Sequence, residues 1–112
     1  MTDRELLELA AKAAGIGAGW LCLEDADFDM GHEGMWPRGA RSPDNSKFWN
    51  PLTDDGDAFR LMVDLRLELY FGEHGVEVRG TPTPGVVYGK DMPTSARQAI
   101  ALAAAEVGRA MP

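Results

Sequence analysis

The hydrophobic period of this chain changes at Arg66, and that change limits what it can fold into. Upstream, Ala58, Leu61, Met62 and Leu65 recur at i, i+3, i+4 and i+7, the stripe of an amphipathic helix. Downstream, Leu67, Leu69 and Phe71 alternate with Arg66, Glu68 and Tyr70, the two-residue period of a half-buried strand. The block Trp49-Asn50-Pro51-Leu52-Thr53-Asp54-Asp55-Gly56-Asp57 launches the helix. Pro51 biases Asn50 towards extended backbone. Thr53 or Asp54 supplies the N-cap, and three aspartates crowd the positive end of the helix dipole. The spacing predicts a helix over about 54–65. A four-residue connection, Gly72-Glu73-His74-Gly75, then turns the chain into a second strand where Val76 and Val78 alternate with Glu77 and Arg79. A turn at 80–85 leads to a short strand, Val86-Val87-Tyr88.

Helices are also expected at both ends. Thr2-x-x-Glu5 is a capping box, Leu6, Leu9, Ala10 and Ala13 follow at helical spacing, and Gly15 supplies the stop, giving a helix at 3–14. Pro93-Thr94-Ser95 opens a helix at 95–110 with a stripe of Ala96, Ala99, Ile100, Ala103, Ala104 and Val107, small enough for close packing. Trp20-Leu21-Cys22-Leu23 reads as a strand. From 25 to 50, glycines, prolines and scattered charges give a long irregular loop, with Phe28, Trp36, Phe48 and Trp49 tacking it to the core in at least two places. The expectation is one α+β domain over 1–112: an antiparallel sheet of three to four strands packed with three helices, in the order α-β-(long loop)-α-β-β-(β)-α.

Composition narrows the function classes. The formal charge is −7, from 18 acidic against 11 basic side chains. That disfavours direct binding to nucleic acid, which needs a basic footprint, and leaves basic protein partners open. No apolar run approaches the roughly 20 residues of a membrane span, and the N-terminus lacks the pattern of a secretory signal. A cytoplasmic protein is the expectation. The single cysteine, Cys22, excludes an intrachain disulfide and a cysteine zinc cluster.

Four stretches invite a chemical reading. Asp25-x-Asp27-x-Asp29 copies the first ligands of a calcium loop, with Glu33 and His32 nearby. The copy fails where glycine is needed, at Met30, and where a bidentate acid is needed, at Trp36. A solvated acidic loop is the plainer reading, leaving Asp25, Asp27, Asp29 and Glu33 as weak metal candidates and no cofactor expected. Asp54, Asp55 and Asp57 resemble a carboxylate site, but helix capping accounts for them. Cys22 with His32 or His74 suggests a thiol and its base, although a cysteine in an apolar strand is usually a small buried hydrophobe. Trp36, Phe48 and Trp49 flank Arg38, Arg41 and Lys47, aromatics interleaved with basic groups as in single-strand binders. The adjacent acidic cluster would repel nucleic acid, so Phe28, Trp36, Arg38 and Arg41 are instead candidates for contact with a protein partner. No nucleophile elbow, phosphate loop, dinucleotide fingerprint or HExxH pattern occurs, and no enzymatic activity is expected.

Three blocks carry a resemblance: Leu-Leu-Glu-Leu-Ala-Ala-Lys-Ala-Ala-Gly at 6–15, the Trp49–Ala58 block with Arg60 and Leu61, and Ala96-Arg97-Gln98-Ala99-Ile100 with 103–108. Together they are similar to the phage ABA sandwich domain family, small proteins of tailed phages and prophages. The likeness covers both ends and the centre and lapses over 24–48. It implies helices on both faces of a sheet, an α/β/α sandwich, and a bacterial host cytoplasm. It carries no biochemical role, so no functional residue follows from it. The expected function is a non-catalytic accessory factor that binds another protein, such as a host-defence or host-factor inhibitor. The alternatives are a small metal-binding or metal-dependent enzyme using the 24–33 cluster, and a homo-oligomeric structural component with the alanine-rich last helix as interface.

Overall fold

The structure, a computed structural model, describes residues 2–16, 18–22, 33–37, 48–80 and 85–112. Its elements run α1 (Asp3–Ala14), β1 (Ala18–Cys22), β2 (Glu33–Pro37), α2 (Asp55–Leu65), β3 (Glu68–Phe71), β4 (Gly75–Arg79), β5 (Gly85–Tyr88) and α3 (Met92–Ala110). The α+β class and the expected order hold. α1 is bounded as its caps predict: the Thr2 hydroxyl accepts from the Glu5 amide, and Gly15 closes the helix at φ 70°, its N–H reaching back to the last turn. α2 starts from Asp54, whose carboxylate accepts from the Asp57 amide at 2.8 Å. α3 begins earlier than the alanine stripe suggests. Asp91 caps it, and proline is tolerated in a first turn whose amides have no helical acceptor.

Two strand expectations are corrected. Arg66 is the left-handed C-cap of α2, at φ 55°, so β3 starts at Glu68 and not at Arg66. The span 25–50 also contains a strand that its glycines and proline concealed. β2 pairs antiparallel with β1, from Ala18 opposite Pro37 to Cys22 opposite Glu33. The sheet is therefore divided: β1–β2 form one ribbon, and β3–β4–β5 form a separate antiparallel meander. Trp49 adds an isolated bridge to the ribbon, its N–H donating to the Met35 carbonyl at 2.8 Å. A Cβ on Gly34 would lie 2.6 Å from the Phe48 ring. Of the aromatics expected to tack the loop to the core, Trp49 is buried there and Phe48 packs on Gly34 within the same span, while Phe28 lies outside the described residues.

The main core joins Leu7, Ala10 and Ala11 of α1 with Met35, Leu61, Val76, Val78 and Ala99, Ala103 and Ala104 of α3, and a smaller cluster joins Leu6 to Ala101 and Ala105. α3 is the hub: it packs along α1 and also against α2, β4 and β5. Ala99, Ile100, Ala103 and Ala104 of its stripe are buried within the chain. The meander turns Val76 and Val78 inward and leaves Tyr70, Val86 and Tyr88 exposed on its other face. Among the described residues no helix covers that outer face, so the two-sided sandwich implied by the resemblance is not what the meander shows. Trp20 belongs to the β1–β2 ribbon and lies under the Arg4 guanidinium at 5.2 Å.

Candidate binding groove

The block before α2 proves to be a joint. The Asn50 side chain accepts from the Leu52 amide at 2.9 Å, and the Asn50 carbonyl accepts from the amides of Thr53 and Asp54. Asp57 is buried, only 5% exposed. Its carboxylate accepts from the Asn50 amide at 3.0 Å and from Arg60 at 2.7 Å. A buried carboxylate is tolerated only when so paired. Arg97 then ties α3 to this joint, donating to the Leu52 carbonyl at 3.0 Å and pairing with Asp55. The three aspartates thus cap, staple and cross-link.

That joint sets α2 beside α3. Between them lies a groove of about 350 Å³. Phe59 and Met62 of α2 form one wall, Met92, Pro93 and Ala96 of α3 the other, and Leu69 and Phe71 the floor and lip. Asp55 and Arg97 close one end. Phe59 and Phe71 stand 61% and 63% exposed, unusual for rings that line an apolar surface. The two methionines are unbranched and adaptable, suited to an irregular apolar partner.

The sequence-derived candidates fare differently. Asp25, Asp27, Phe28, Asp29, Arg38 and Arg41 lie outside the described residues, as do His32 and Lys47. Glu33 and Trp36 take register in β2 opposite Cys22 and Gly19. His74 is exposed at the hairpin tip, 3.8 Å from Glu73. Among the described residues no three His, Cys, Asp or Glu side chains come together around a possible ion. On the outer face of the meander, hydrogen bonding and charge from Glu77 hold the Arg79 guanidinium above its usual pKa, and Arg79 lies over the Tyr70 ring at 4.3 Å.

Sequence reasoning missed the groove. A signal was present in Phe59, a large apolar residue that falls outside the stripe of Ala58, Leu61, Met62 and Leu65. An apolar residue beside a complete core stripe has nothing left to pack against within its own helix pair. No protein-family model, curated protein or solved structure matches this chain.

Proposed function

We propose that this protein is a non-catalytic binding module that holds the apolar face of a basic amphipathic segment of another protein in the groove between α2 and α3. The observation that carries the reading is the pair Phe59 and Phe71, both more than half exposed on either side of an apolar trough. Such a trough recognises i, i+3, i+4 anchors on a partner helix. Its closed end presents Asp55, whose side chain is 83% exposed although it pairs with Arg97. In a chain of net charge −7, a partner carrying lysine or arginine beside its apolar stripe is attracted and an acidic one is repelled. The resemblance to a phage family suggests the setting, an accessory factor acting on a host protein in the bacterial cytoplasm.

The test is selection from a random peptide library, followed by NMR mapping on the full chain. Enriched peptides are expected to share an apolar stripe with basic flanks and to shift Phe59, Met62, Phe71 and Met92. Phe59→Ser should weaken them at least about tenfold, the loss of one buried aromatic anchor. Peptides that map elsewhere, or bind Phe59→Ser equally well, would sink the proposal.

A further inference from the structure

We infer that two copies of this chain pair through the β5 edge, joining their meanders into one continuous antiparallel sheet. The Gly89 N–H donates to the His74 carbonyl at 3.0 Å, which makes these two a hydrogen-bonded pair. Antiparallel pairs alternate, so Gly85 and Val87 exchange bonds with β4, while Val86 and Tyr88 turn their N–H and C=O groups away from it. β5 is the last strand of its sheet, and among the described residues nothing bonds to that outer side. Exposed edges are ordinarily blunted by charge, proline or a bulge. Gly85-Val86-Val87-Tyr88-Gly89 has none of these.

A second copy is the occupant for three reasons. The first is charge. Two chains of −7 repel across most of their surfaces, and the 85–89 strip is an uncharged line where they can meet. The second is register. Pairing Val86 with Tyr88 of the second copy, and Tyr88 with its Val86, uses every outward group of β5 and sets Val87 against Val87 on the symmetry axis. Each copy donates two N–H groups, so the sheet closes with four new bonds. Tyr88 is 80% exposed in one copy and gains Val86 of the other as a cross-strand neighbour. The third is what lies below. Beneath the edge, Leu102 of α3 is 40% exposed beside a groove shared with Val86 and Val87, apolar surface that a second copy would cover. The surface is isologous, as a two-fold dimer requires. The groove between α2 and α3 adjoins β3, at the opposite edge, so a dimer presents two of them.

Sedimentation equilibrium of the full chain tests this, with dissociation measured over a concentration series. The wild type is expected to show a reversible dimer. Val86→Pro removes an N–H that faces away from β4, so the monomer keeps its ladder. It also deletes one intermolecular bond from each side of the dimer, weakening it at least about 30-fold at roughly 1 kcal/mol per bond. Phe59→Ser, in the distant groove, should leave it unchanged. A wild type that stays monomeric to about millimolar concentration overturns the inference. So does a dimer that withstands Val86→Pro or dissociates with Phe59→Ser.

Discussion

At the scale of single residues, close approach decides what composition cannot. Gly108 lies in the last turn of α3, where a glycine ordinarily costs a helix about 1 kcal/mol relative to alanine. Here a Cβ would collide with the backbone carbonyl of Leu9 on α1. The neighbour is main chain and cannot swing aside. Gly108→Ala is therefore expected to reverse the propensity rule and destabilise the protein by about 1–3 kcal/mol, read as a lower midpoint in urea unfolding. Nothing in the sequence around 108 distinguishes this glycine from a loose helix end, because the contact comes from a segment almost the whole chain away. Asp57 is the contrary case. Its place in the first turn of α2 was legible, but its role was misread as one more charge at the dipole. Its burial and its bond to the Asn50 amide depend on the Pro51 turn folding the preceding chain back over the helix start.

At the scale of elements, legibility follows local signal strength. α1 and α2 were readable because stripe and cap agree within a few residues. β2 was not, since Glu33-Gly34-Met35-Trp36-Pro37 has neither alternation nor β-branched residues; pairing with β1 and the Trp49 bridge make it a strand. The start of α3 was missed for a different reason. The alanine stripe marks where the helix is buried, whereas Asp91 marks where it begins. The Thr94 hydroxyl donates to the Asp91 carboxylate at 2.7 Å, and with the weaker Thr94 amide it holds that carboxyl below its ordinary pKa. A carboxyl with a depressed folded-state pKa binds fewer protons folded than unfolded. Its contribution is present in full above the unfolded value of about 3.9 and is lost as pH falls through the lower folded value. Asp91→Asn keeps an oxygen for the cap and deletes the charge. The wild type should therefore melt above this variant at neutral pH, and the gap should close as the melts are taken from about pH 5 down to below pH 3.

At the scale of the whole molecule, the core is organised around α3, which faces α1 on one side and the meander on another while α2 leans on its first turns. That arrangement was legible as three helices on an antiparallel sheet. The division into two sheets and the groove were not, because the first rests on β2 pairing with β1 and the second on how α2, α3 and the end of β3 come together. The groove sorts the apolar residues of α2 into two populations with different physical meanings. Leu61, 2% exposed, belongs to the core, whereas Phe59 lines the groove and is open to water. Truncating Leu61 to alanine should cost about 2–5 kcal/mol, since the cavity it leaves cannot collapse onto a neighbour. Phe59→Ser and Phe71→Ser should each stay within about 0.5 kcal/mol of the parent, as exposed positions do. Chemical denaturation of the three variants separates the cases. A loss of several kcal/mol at Phe59 or Phe71 would mean that the rings hold the fold together. Stability retained with peptide binding lost would mean that the chain keeps two exposed phenylalanines for the sake of a partner.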